Sequence, residues 1–287
     1  MRSNPDLSAT PEILTGTTTG PEVDKELSAS APRFAVPYRG NRRVRLIPAL
    51  FALVLAGLAW QLLSQSGLVA AYLLPSPQKV FNSWLHLLNT GTLWKHVSAT
   101  LMEALLGFLA AFVVSVSLGY FIARSAWLSW LLAPFIAATQ AMPMIALAPI
   151  LVMWFGLGLS SKIIICGLIV FFPILVNTVI GLRNIDREML DAACNQGANA
   201  WQSFCYIEVP LALRTLLGGI RMGLTLSLTG AIVGEFVASD SGLGFLMMLS
   251  RVSYDSSMLF ASSLTMAGLA VICYLLIGFL EHILIDW

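Results

Sequence analysis

Long intervals without a charged residue constrain this chain more than any other feature. No Asp, Glu, Lys or Arg occurs in the 33 residues 46–78, the 20 residues 104–123, the 37 residues 125–161, the 20 residues 163–182 or the 25 residues 256–280. An α-helix needs about 20 apolar residues to cross a hydrocarbon core of about 30 Å, so each interval is long enough to span a bilayer. Composition agrees, with 57% hydrophobic and 11% charged residues against about 45–50% and 25% in soluble domains. A soluble enzyme, a nucleic-acid-binding domain and a disulfide-stapled secreted protein are excluded. The chain is expected to be an all-α integral membrane protein.

Residues 1–45 are rich in Ser, Thr, Pro and charge and show no helical or strand period, so a disordered tail is expected there. Because the first apolar stretch starts only after this tail, no cleavable signal is expected. Six transmembrane helices follow, at roughly 46–64, 100–123, 130–156, 162–182, 217–237 and 258–280. Five arginines between Arg33 and Arg45 place the N-terminus in the cytoplasm, and six spans return the C-terminus there. With that orientation 12 of the 16 Lys and Arg lie inside and four, Lys79, Lys95, Lys162 and Arg251, outside, in accord with the positive-inside rule. Residues 46–287 then form one membrane domain, with a long cytoplasmic connection at 183–216.

Two connections carry local signals. In the outer one, Ser76 and Pro77 supply the cap and first-turn proline of a short helix, and Val80, Trp84 and Leu87 recur on one face. That helix is expected to lie along the membrane interface. In the connection 183–216, Asp186 can cap a helix that Gly197 ends, since a left-handed terminal residue costs little only for glycine. Asn199 and Gln202 stand at capping-box spacing. Trp201, Phe204 and Cys205 give the second helix an apolar face, and Pro210 is expected to stop or bend it. By pattern alone this is either an amphipathic loop on the headgroups or a docking element for a cytosolic partner.

Small residues recur at every fourth position in two spans: Glu103, Gly107, Ala111, Ser115 and Gly119 in the second, Gly219, Gly223, Ser227, Ala231 and Glu235 in the fifth. Such stripes let helix backbones approach closely. The acids at their outer ends are candidates for a translocation pathway or gate. For Glu235 the alternative is a structural pairing with backbone or a nearby cation, and for Glu103 contact with the water boundary. Pro134, Pro143 and Pro149 make a straight helix across 125–161 untenable. Broken segments are tolerated where protein or a cavity satisfies the freed backbone, so Gln140 and the Met142-Pro143-Met144 turn are expected either to face a cavity, Gln140 then joining the translocation pathway or gate, or to form a kinked helix inside the bundle. Cys166, Cys194, Cys205 and Cys273 form no Cys-x-x-Cys pair, and neither they nor His86, His96 and His282 suggest a metal site.

Asp191-Ala192-Ala193, Gly197, Ile207 and Pro210 resemble the coupling-loop motif of binding-protein-dependent ABC importer permeases. That motif reads Glu-Ala-Ala, three residues, Gly, nine residues, Ile, one residue, Leu-Pro; here Asp191 replaces Glu and Val209 replaces Leu. The resemblance extends over roughly 75–280. Leu74-Pro75-Ser76-Pro77, Ala146-Leu147-Ala148-Pro149, Trp154-Phe155-Gly156-Leu157-Gly158, Phe171-Phe172-Pro173-Ile174 and Ser241-Gly242-Leu243-Gly244 are similar to segments of the sulfonate, taurine, nitrate, pyrimidine-precursor and riboflavin subfamily. It implies a type I ABC importer permease (MetI-like) fold in the bacterial cytoplasmic membrane, two copies per complex, a cytosolic ATPase subunit and an extracytoplasmic solute-binding protein. Asp191, Ala192, Ala193, Gly197, Trp201, Ile207 and Pro210 would form the ATPase-coupling loop.

The resemblance implies no catalytic residue and no cofactor. ATP hydrolysis by this chain is not expected either, for it contains no Gly-Lys dipeptide and hence no phosphate-binding Gly-x-x-x-x-Gly-Lys-Ser/Thr loop. The run Gly230-Ala231-Ile232-Val233-Gly234-Glu235-Phe236-Val237 is more similar to permeases for pyrimidine precursors and riboflavin than to those for sulfonates, taurine or nitrate. It implies a nitrogen-heterocyclic vitamin or its precursor as solute. An ion-coupled secondary transporter is the rival from another class; it predicts internal symmetry between halves, and no persuasive repeat is found.

Overall fold

The computed structural model describes residues 42–70 and 72–284. All but the last four residues of the expected tail lie outside the described residues. The chain divides into two units, 1–55 and 56–287. The first contributes the opening turns of α1 (Arg42–Gln65); the packing below belongs to the second.

α2 (Pro77–Asn89) and α3 (Thr92–Arg124) follow, then α4 (Ala126–Ala141) and α5 (Met144–Phe155), and α6 (Leu159–Arg183). Two short elements, α7 (Arg187–Asn195) and α8 (Ala200–Ser203), lead through a π-helical turn at Phe204–Glu208 into α9 (Val209–Ala238). α10 (Leu243–Val252) and α11 (Ser256–Leu284) complete the described chain. Among the described residues four helical stretches are long and apolar enough to cross a membrane: Thr92–Arg124, Leu159–Arg183, Ala200–Val237 and Ser256–Glu281. The expected first span falls on α1, whose part Phe51–Gln65 is a shorter apolar helix.

The expected third span is two helices. Pro143 stands between α4 and α5, and Met142 before it is extended, with φ −74° and ψ 131°. A proline ring disfavours the helical conformation in the residue that precedes it, and the break falls at one of the three prolines of this stretch.

α6 lies between α3 and α9 and packs more extensively with each than any other pair of helices does. Every member of the two small-residue stripes is buried. A Cβ on Gly107 would fall on the Cys166 side chain, and one on Gly230 would fall on the Cys166 backbone. Gly119 meets Thr178, Gly219 meets Asn177 and Gly223 meets Ile174 in the same way. The stripes are thus the surfaces on which α3 and α9 close upon α6, the expected use of small residues where water supplies no driving force between helices.

Ser76 caps α2, its side chain accepting from the Lys79 N–H, with Pro77 in the first turn. Val80 and Leu87 are buried, and the Trp84 indole N–H donates to Thr265 Oγ1 of α11 at 3.1 Å. α10 was not foreseen. It inserts after α9 with Leu243, Gly244, Leu246 and Ser250 buried, and its first turn organises the polar site described below.

Candidate functional site

Two regions concentrate polar chemistry. The first is the connection from Asp186 to Pro210. Asp186 Oδ1 accepts from the Glu188 N–H at 3.0 Å, which satisfies one of the free donors at the start of α7. At the other end Gly197 is left-handed, with φ +86°. The Gly197 N–H donates to Cys194 O at 3.0 Å, and the Ala198 N–H to Ala193 O at 3.0 Å. This pair of bonds is the Schellman termination that a glycine at this position permits. Two residues later Asn199 and Gln202 form a reciprocal capping box: the Asn199 N–H donates to Gln202 Oε1 at 2.9 Å, and the Gln202 N–H to Asn199 Oδ1 at 2.8 Å.

The second helix does not end at Pro210. After the four residues of α8 the backbone widens into a π-turn, in which the Val209 N–H reaches back five residues to Phe204 O. It then runs on as α9, so that Ala200–Val237 is one helical path of 38 residues. The fifth span therefore begins well before residue 217. Pro210 has no N–H and its ring would strike the carbonyl four residues back; one extra residue in the preceding turn removes that conflict, as π-bulges do.

Glu208 is buried and forms an ion pair with Arg124 at the end of α3. The Phe204 ring meets Tyr120 edge-on at 5.1 Å. The connection is thus fastened to α3, yet several of its large apolar side chains are bare: Trp201 is 71% exposed, Tyr206 79% and Met189 55%. Asp191 and Ala192 are exposed, Ala193, Ile207 and Pro210 half-buried, and Gly197 exposed at the turn.

The second region is a buried polar cage joining α3, α6, α9 and α10. Glu235 and Glu103 are 2% and 3% exposed, and Lys162 is 4% exposed. Lys162 Nζ donates to Glu103 Oε1 at 2.7 Å and to Ser239 Oγ at 2.7 Å. Thr100 Oγ1 donates to Glu235 Oε1 at 2.6 Å. Three successive backbone N–H groups close the cage: Gly242 donates to His96 Nδ1 at 2.9 Å, Leu243 to Thr100 Oγ1 at 2.8 Å, and Gly244 to Glu235 Oε2 at 2.5 Å. These are free donors at the start of α10, and a carboxylate is the complement of a helix N-terminus. Gly242 has φ +113°, and a Cβ there would overlap the Glu235 carboxyl; only glycine lets the loop pass so close.

Glu235 is therefore paired with a hydroxyl and with backbone, and Glu103 does not reach water. The sequence placed both acids at one end of the bundle but missed their side-chain partners Thr100 and Lys162, and with them His96 and Ser239, which complete the cage. The available signal was Ser241-Gly242-Leu243-Gly244, whose glycines are needed at Glu235. Gln140 stands in the last turn of α4, and its side chain lies outside the described residues. No group of three or more His, Cys, Asp or Glu suited to a metal occurs among the described residues.

Residues 115–287 match the family described as binding-protein-dependent transport system inner membrane component. The riboflavin transport system permease protein RibX of Chloroflexus aurantiacus is 44% identical over 217 residues, 76% of this chain and 81% of its own length. The formylaminopyrimidine transport permease protein ThiX of Halalkalibacterium halodurans is 32% identical, covering 84% of this chain and 96% of its own. The putative aliphatic sulfonates transport permease protein SsuC of Escherichia coli is also 32% identical, covering 79% of this chain and 87% of its own. Among solved structures, an inward-facing MetNI methionine ABC transporter superposes with a TM-score of 0.61 over 67% of this chain and 95% of that one. At 17% identity that likeness carries the fold alone, and it bears out the all-α, MetI-like architecture.

Proposed function

The chain belongs to the binding-protein-dependent transport system inner membrane components, the non-catalytic permease subunits of ABC importers, and on that premise we propose that residues 183–216 are where a cytosolic ATPase engages it and that its solute is a riboflavin-type or thiamine-pyrimidine-type heterocycle. One observation carries the docking reading. The connection is capped at both turns, fastened to α3 by Glu208 and Phe204, and yet leaves Trp201, Tyr206 and Met189 bare. A rigid, exposed aromatic face suits a protein groove, where aromatic anchors supply most of the binding energy.

In this reading the N- and C-termini are cytoplasmic, and a second copy of the chain and an extracytoplasmic binding protein complete the importer. ATP-driven closure of the ATPases displaces α7 and α8. Because α8 runs without interruption into α9, the displacement passes along the α9 stripe to Glu235 and so to α10. The solute reading is supported by the 44% identity to RibX, against 32% to the sulfonate permease. A sulfonate, taurine or nitrate solute is the competing assignment.

The test is uptake by a riboflavin-auxotrophic bacterium expressing this permease together with candidate ATPase and solute-binding subunits from its own organism. Growth on limiting riboflavin and co-purification of the ATPase with the tagged permease are expected. Taurine-dependent sulfur supply without riboflavin rescue would overturn the solute assignment. Normal uptake after Gly197→Val, with the ATPase still bound, would overturn the docking assignment.

A further inference from the structure

A cavity of about 550 Å³ opens where the α4–α5 break faces α6 and α9. Phe172 and Pro173, in its wall, stand at the middle of the 25-residue α6. Met142 and Met222 add thioether surface, and the polar side chains are Thr139, Asn177 and Thr229. No charged residue lines it. Its size and its mix of apolar wall with a few polar groups are those of small-molecule sites, which run from about 300 to 1,000 Å³.

Two details point to a ligand with a hydrogen-bonding edge. Pro173 has no N–H to return to the carbonyl of Ile169, which also lines the cavity, so an acceptor there lacks its helical donor. Asn177 Nδ2 donates one hydrogen to Pro173 O at 2.8 Å. That bond leaves the second amide hydrogen and the carbonyl oxygen to spare. Gly219 packs against the Asn177 Cβ, which fixes where the amide is held.

We propose that this cavity holds the solute in passage and selects an uncharged flat heterocycle, its ring against Phe172 and an adjacent donor–acceptor edge paired with the Asn177 amide. The proposal rests on the importer reading and narrows it. Polarisable thioether and aromatic surfaces suit a flat ring. A sulfonate or nitrate is anionic throughout and would enter a wall without a cation, where a charge is costly. An imide or aminopyrimidine edge carries no such cost.

The experiment uses the complete importer, permease with ATPase and binding protein, in proteoliposomes containing ATP. The solutes are riboflavin, N3-methylriboflavin, which lacks the imide hydrogen, and taurine. Wild type is expected to import riboflavin faster than the methylated analogue. Asn177→Ala is expected to lower kcat/KM for riboflavin at least about tenfold, since it removes both bonds of that pairing, with a smaller change for the analogue, which lacks the imide hydrogen. ATP hydrolysis stimulated by loaded binding protein is expected to persist, a readout that a misfolded subunit would lose. Should Asn177→Ala fail to assemble, Thr229→Val, at an exposed position of α9, is expected to narrow the same ratio. An unchanged ratio in an assembled variant that still imports riboflavin overturns the cavity assignment and leaves the importer reading standing. Taurine import by wild type in place of riboflavin overturns both.

Discussion

The buried cage and the exposed connection are built from the same devices, a carboxylate or amide capping a helix start and a glycine with positive φ, and they put them to opposite uses. In the cage all the bonds but that of Gly244 to Glu235 join residues 59 to 146 positions apart, and little of the cage reaches solvent. In the connection the capping bonds join residues two or three apart, and the face they support is open. Long-range polar bonds in a buried site tie helices together and penalise any rearrangement that leaves a group unpaired. Local caps fix the shape of one segment and leave its surface for a partner. The difference separates a region that holds the bundle from one that takes up a load.

The largest expected effect lies in the cage. Glu103→Ala leaves the Lys162 ammonium buried without its carboxylate, and breaking a buried pair from one side costs about 3–5 kcal/mol. The thermal unfolding midpoint in detergent should fall steeply, and Glu103→Ala combined with Lys162→Ala should recover part of the loss. A single variant as stable as wild type would show that the cage does not hold the bundle together. Gly242→Val comes next. It forces a branched side chain into φ +113° and onto the Glu235 carboxyl, and strain of this kind costs about 1–3 kcal/mol. The loss should show as protease sensitivity at 239–244; an undisturbed loop would contradict the close approach.

In the connection the stability effects shrink. Gly197→Val asks a branched residue to sit at φ +86° in open space, at about 1–2 kcal/mol for the left-handed conformation. The cost is confined to α7 and α8, so the unfolding midpoint should barely move while ATPase co-purification is lost. Equal damage to both would mean that the connection is part of the core.

How far each region was legible follows from the same contrast. Asp186, Gly197, Asn199 and Gln202 act on neighbours in sequence, so spacing alone located their bonds. The stripes were legible as packing surfaces because a four-residue step is a helical face. Which helix they meet was not legible, because the choice of α6 depends on Cys166, Thr178 and Asn177 lying opposite the right glycines. The cage was half legible: Glu235 stood out as an acid in an apolar run, but pairing it with Thr100 needed the fold to bring together residues 135 positions apart. Lys162, counted as an outer charge, turned out to be buried against Glu103. At Pro210 a stop or a bend was legible but the choice was not: the helix does not stop, and nothing in Phe204–Glu208 announced the π-turn that lets it continue.

The smallest effect on stability, and the sharpest test of the contrast, belongs to Trp201→Ala. Trp201 touches the Phe204 ring at 5.7 Å but is 71% exposed, so its removal takes little apolar surface out of the fold. An exposed substitution of this kind changes stability by no more than about 0.5 kcal/mol. If the bare face is a docking surface, the same change removes an aromatic anchor, and anchors of this type contribute about 2 kcal/mol or more to an interface. The ATPase should then bind at least about tenfold more weakly to a permease whose melting curve is unchanged, measured by titrating the purified ATPase onto the permease in nanodiscs. Glu103→Ala should show the reverse, a lowered midpoint with unaltered ATPase affinity in the surviving fraction. A Trp201→Ala permease that binds the ATPase as wild type does, or melts as early as the cage variant, would erase the distinction between the two regions.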